Sequence, residues 1–143
     1  MNRDDLYRCR DIELDIKSAM VVYEIKFARI TKITQTITDM PKAIGKVKYD
    51  LEELIDYYKD KIEKRQKEAR DLVKSVESQF ELMQDERYVA VLRYFYIGGL
   101  PLKAISSEMG YDEKYLIKLK SQAIEDFEKY DTKSHQMTPK KVE

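Results

Sequence analysis

Gly98-Gly99-Leu100-Pro101-Leu102-Lys103-Ala104-Ile105-Ser106-Ser107-Glu108-Met109-Gly110-Tyr111-Asp112 carries three of the chain's four glycines. The apolar residues around them follow a spacing that few structures satisfy. Gly98-Gly99 ends one helix, and Pro101 suits the first turn of the next. Gly110 supplies a residue comfortable at positive φ between two apolar plugs, Met109 and Tyr111. Asp112 can cap a further helix that continues from Glu113 to Lys129 without a breaker. Ile105 followed by the small Ser106 lets two helices cross closely, although alanine is the commoner residue at that second place. Leu116 and Leu119, three apart, turn back onto the first helix. The pattern predicts a short helix, a tight turn at Gly110 and a longer second helix, which is a helix-turn-helix.

With those residues inward, the second helix presents Glu113, Lys114, Tyr115, Ile117, Lys118, Ser121 and Gln122 outward. A helix of this kind fits the major groove of double-stranded DNA. Lysine meets guanine or phosphate, glutamine pairs with adenine, and glutamate accepts from cytosine. Ile117 suits either a thymine methyl or another protein. Residues nearest the helix N-terminus are placed to read bases, whereas Lys103, Ser121 and Gln122 suit positioning contacts with the backbone.

Upstream, Asp85 reads as an N-cap with Glu86 in the first turn. Tyr88, Leu92 and Phe95 make the inward face of that helix, with Val91 flanking. Further back the steps of three and four lengthen into two series. The first is Leu6, Cys9, Glu13, Ile16, Met20, Tyr23, Phe27, Ile30, Thr34, Ile37; the second is Leu51, Ile55, Tyr58, Ile62, Arg65, Ala69, Leu72, Val76, Gln79, Met83. Each predicts a long amphipathic helix with a heptad-like seam, roughly 40–50 Å long. Thr38-Asp39-Met40-Pro41 and Gly45 supply turn chemistry between them. Two long helices with a short connection fold back as an antiparallel hairpin. Such a hairpin buries little for its length, so its stripes call for the C-terminal module or a second copy, with Tyr23, Phe27 and Tyr58 as anchors. The tail from Asp131 has no periodicity and reads as disordered.

Composition narrows the alternatives. Charged residues make up 38% and hydrophobic ones 43% of 143 residues, which suits solvated amphipathic helices. The net charge is zero, which counts against a non-specific coat on nucleic acid. Charge is nonetheless uneven. Residues 26–48 hold Lys26, Arg29, Lys32, Lys42, Lys46 and Lys48 against Asp39, and residues 114–122 hold Lys114, Lys118 and Lys120 without an acid. No stretch has the roughly 20 apolar residues of a membrane span, and the N-terminus lacks a signal-like apolar core. A cytoplasmic protein is expected. Lone Cys9 forms no internal disulfide, lone His135 lies in the tail, and no phosphate loop or metal-ligand spacing stands out. No enzymatic activity, metal or cofactor is expected.

Asp85 to Tyr130 resembles the C-terminal helix-turn-helix of sigma factors, the part that reads the promoter −35 element. The likeness rests on Glu86-Arg87 before Val91-Leu92, on Ala104-Ile105-Ser106 and Met109-Gly110-Tyr111, and on Leu116, Leu119, Ala123 and Ile124. It implies DNA contact by Glu113, Lys114, Tyr115, Ile117 and Lys118; in sigma factors the second-helix positions of Tyr115 and Ile117 are usually arginine. The other sigma regions are missing. From about Leu6 to Tyr130 the layout is similar to small phage and prophage proteins of Gram-positive bacteria, loosely grouped with the RinA and ArpU late-transcription regulators. Ile33 to Pro41 followed by Asp50-Leu-Glu-Glu-Leu-Ile55 carries that second likeness.

The expected protein is therefore all-α, with a helical hairpin over 1–84, a DNA-binding helix-turn-helix module over 85–130 and a tail over 131–143. The expected role is a sequence-specific transcription regulator of phage or prophage origin in the cytoplasm of a bacterial host. It would form a homo-oligomer through the hairpin and present the module to DNA or to RNA polymerase. Two other readings stay open: an interaction module that binds polymerase or a regulator without DNA, and a recognition subunit of phage DNA packaging.

Overall fold

The computed structural model describes residues 1–36 and 42–131; the turn expected at Thr38 to Pro41 and the tail from Thr132 onward lie outside the described residues. Among the described residues the fold is all-α, with five α-helices and no strand. They are α1 (Arg3–Thr36), α2 (Lys42–Phe80), α3 (Glu86–Leu92), α4 (Leu102–Met109) and α5 (Glu113–Glu128). The 39 residues of α2 make a rod of about 58 Å. No helix among the described residues is long and apolar enough to cross a membrane.

The chain divides into two compact units, one of Leu14–Glu68 and one of Met1–Glu13 with the chain from Ala69 onward. Residues 84 and 85, where a module boundary was expected, both fall within the second of these.

In the Leu14–Glu68 unit, α1 and α2 run in opposite directions. Asp15 of α1 accepts from Arg65 Nε at 2.8 Å and lies 3.7 Å from Lys61 Nζ. Further along α1, Tyr23 shares a hollow with Lys59 and Ile62, and Ile30 shares another with Tyr49 and Ile55. Ile16, Ala19 and Leu51 are buried, while Tyr23, Tyr58 and Ile62 are half-buried. Gly45 does not make a turn: it lies within α2, which begins nine residues before Leu51. The α1 seam is also displaced by one residue from the expected series. Ile12 and Ala19 are buried where Glu13 and Met20 were expected, and Met20 and Phe27 are exposed. The buried positions Cys9, Ile12, Ile16 and Ala19 keep a seven-residue repeat, so the seam differs from the expected one by a one-residue shift in phase after Cys9 and not in period.

The other unit has the larger core. Leu6, Val76, Phe80, Val91, Leu92, Ile105, Leu116, Leu119 and Phe127 are essentially inaccessible. Phe80 and Phe127 meet edge to face with ring centroids 5.6 Å apart, a geometry that adds to their area burial. Buried Gln79 donates its amide to the carbonyls of Met1 at 2.9 Å and Phe127 at 2.8 Å, so a polar group inside the core is fully used.

Asp85 caps α3 as its spacing predicts, accepting from the Arg87 N–H at 2.9 Å. The helix then widens into a π turn over Arg93–Ile97, closed by the Gly98 N–H on the Arg93 carbonyl at 2.8 Å. This turn corrects the expected inward face. Val91 and Tyr96 are buried, whereas Phe95 and Tyr88 are only half-buried. An i→i+5 turn holds one more residue than an α turn, which moves the inward position from Phe95 to Tyr96. A Cβ on Gly98 would lie 2.9 Å from the Tyr94 carbonyl oxygen, so the turn requires glycine there.

Candidate functional site

The segment from Leu102 to Glu128 forms as two helices about a tight turn. Gly110 stands at φ 78°, and its N–H closes on the Ser106 carbonyl at 2.9 Å. A Cβ at Gly110 would meet nothing within 4 Å, so backbone conformation rather than space selects glycine. Ser106 does more than fill a small place: its hydroxyl donates to the Tyr111 carbonyl across the turn. That bond is the reason serine suits a position where alanine is commoner. Asp112 caps α5 by accepting from the Tyr115 N–H at 2.9 Å. Ile105, Leu116 and Leu119 are buried between the helices.

The opposite face of α5 is open to solvent. Glu113, Lys114, Tyr115, Ile117, Lys118, Ser121 and Gln122 are all exposed, as is Lys103 on α4. Lys103, Lys114 and Lys118 make no ion pair among the described residues. Their charge is not spent inside the unit.

Two candidate residues have company that their spacing does not reveal. Tyr115 accepts from Arg87 Nη1 at 3.0 Å and lies 4.9 Å from the Tyr111 ring. Arg87 also chelates Asp85, its Nη2 donating to Oδ2 at 3.0 Å and its Nε to Oδ1 at 3.3 Å. That arginine holds the Asp85 carboxyl below its ordinary range. Ile117, 55% exposed, stands at the rim of a groove of about 490 Å³ that runs along the flank of α5.

Three residues in and around that groove make contacts that sequence spacing does not reveal. The Arg10 guanidinium carbon lies 3.7 Å from the Phe95 ring centroid, and its Nη1 donates to the carbonyls of Phe95 and Leu100. Lys120 Nζ lies 4.1 Å from the same ring, and burial with Arg10 nearby holds its pKa below the usual lysine value. Arg3 is neutralised by Glu128, to which it donates from Nη2 at 2.7 Å and Nε at 3.1 Å. Lys120 is visible in the sequence as a charge, but nothing there signals its contact with Phe95. Arg10 is 85 residues from the ring it covers, beyond the reach of local spacing.

Comparison with known proteins yields no match: no protein-family model, no curated protein and no solved structure matches this chain.

Proposed function

We propose that this chain is a sequence-specific DNA-binding transcription regulator of phage or prophage origin, with α5 entering the major groove. The observation that carries the reading is the division of α5 into two faces. Leu116, Leu119, Ala123 and Phe127 are packed inside, while Lys114, Lys118, Ser121 and Gln122 stand exposed, both lysines without a carboxylate partner among the described residues. A capped, rigid helix with free cations and amide groups outward has what base and phosphate recognition requires. The resemblance of Asp85 to Tyr130 to the sigma-factor module supports the same reading.

A single module of this size makes few phosphate contacts, and a second copy would double them. The Leu14–Glu68 unit supports dimerisation. It leaves Leu14, Met20, Val21, Ile25, Phe27, Val47, Tyr49, Leu54 and Tyr57 exposed, more apolar surface than a free helix pair has use for.

Selection of bound duplexes from a random pool tests the proposal. The chain should enrich a defined sequence, and Lys114→Glu with Lys118→Glu should abolish binding while leaving the helical circular dichroism intact. Unchanged affinity in that double variant favours the second reading, an interaction module that binds RNA polymerase or a regulator. The exposed Ile117 and the zero net charge are what speak for it.

A further inference from the structure

The groove beside α5 carries more positive charge than its surroundings balance. Arg10 and Lys120 are both held against the Phe95 ring, and among the described residues neither has a carboxylate partner. Arg10 donates from Nη1 to two neutral carbonyls, and Lys120 makes no hydrogen bond among the described residues. Arg3, at one edge, is already matched by Glu128, and Asp11 is the one carboxylate in the lining. Two cations near one another destabilise each other, and an anion placed between them relieves both. The groove is open along its length, so it would bury only part of a small molecule, whereas tight small-ligand sites enclose most of theirs. A charged group fixed to a larger body fits it better.

The groove also shares residues with the exposed face of α5. Ile117 and Ser121 line it and stand beside Lys114 and Lys118 on the same helix. Whatever tracks that face passes the groove. We infer that Arg10 and Lys120 form a clamp for a backbone phosphate of duplex DNA, seated beside α5 with the apolar face of its sugar against the exposed Ile117. The inference rests on the DNA-binding reading and adds to it a contact made partly by α1, outside the helix-turn-helix. The clamp positions the duplex and carries no base preference of its own.

The test is fluorescence anisotropy of a labelled duplex against the wild-type chain, Lys120→Met, Lys120→Arg and Lys118→Gln over a range of KCl concentrations. Methionine keeps an unbranched stem and a favourable contact on the Phe95 ring while removing the charge. Circular dichroism checks that each variant is folded. Lys120→Met should flatten the plot of log affinity against log salt by about 0.9, one phosphate's worth, and leave the preferred sequence unchanged. Lys120→Arg should restore the slope. A Lys120→Met slope equal to wild type, or an altered base preference, overturns the clamp. If in that case Lys118→Gln still flattens the slope, the DNA-binding reading survives alone. A wild-type chain that binds no duplex, or an acidic peptide but no duplex, removes both.

Discussion

Arg87 donates to the phenol oxygen of Tyr115 across 3.0 Å while the same guanidinium grips Asp85, the cap of α3. One arginine thereby links the start of α3 to the first turn of α5. Tyr115 is a candidate DNA contact whose hydroxyl is already engaged, so its orientation depends on a residue 28 positions earlier. Tyr115→Phe and Arg87→Gln should each weaken duplex binding. The double variant should lose no more than the worse single variant, because both remove one linkage. Additive losses in anisotropy titrations refute the coupling.

Position 110 in the turn between α4 and α5 needs a left-handed residue and nothing else, because a Cβ there meets nothing within 4 Å. Gly110→Ala should cost about 1–2 kcal/mol of stability in urea unfolding through its positive φ alone. Gly110→Asn should cost less, because asparagine tolerates that region. An alanine variant as stable as wild type would falsify the assigned conformation.

Cys9 is 3% exposed, and burial raises its thiol to about 11 from an ordinary 9.0. The folded state therefore favours the protonated thiol. Its contribution to stability is present below pH 9.0 and is lost as pH climbs through about 11. A disulfide-exchange reagent at neutral pH should label Cys9 only after denaturant is added. Rapid labelling of the native chain contradicts its burial.

Acid should act in the opposite direction. Arg65, Arg87 and Arg3 hold Asp15, Asp85 and Glu128 below their ordinary 3.8, 3.8 and 4.5. These depressed carboxylates stabilise the fold above those values and lose that contribution as pH falls through their folded-state values. Thermal midpoints should drop between about pH 5 and about pH 3. The drop should be modest and should shrink in strong salt, since the pairs are partly solvated. A midpoint flat across that range argues against all three pairs.

Ile25 and Tyr57 are each 59% exposed on the Leu14–Glu68 unit. If a second copy covers that surface, light scattering of the wild-type chain should give twice the mass of one chain. Ile25→Asp with Tyr57→Asp should return it to one. A clean monomer at high micromolar concentration removes the dimer.

Much of the fold was legible because helical periodicity is a local signal. All ten positions of the second series are buried or half-buried, nine of them on α2 and Met83 just beyond its end. Its two polar members are its polar ties, Arg65 bonding Asp15 and Gln79 bonding the Met1 and Phe127 carbonyls. On α1 the seam runs through Ile12 and Ala19, one residue before Glu13 and Met20, because either phase offers apolar side chains there and only packing selects between them. The caps Asp85 and Asp112 and the turn at Gly110 were readable because capping and positive φ select residue types directly. The contacts of Arg10 and Lys120 with Phe95 were not, because they join segments far apart in the chain. The π turn is not legible either: Arg93-Tyr94-Phe95-Tyr96-Ile97 reads as ordinary helix, and Gly98 reads as a stop.

That widened turn has an effect out of proportion to its length. In an unbroken α-helix Phe95 would share the interior side with Leu92. One additional residue in the turn rotates its ring outward and brings Tyr96 in to replace it. The aromatic platform under Arg10 and Lys120 therefore comes from a local miscount in helix winding, and shortening the segment by one residue should erase it without touching either cation.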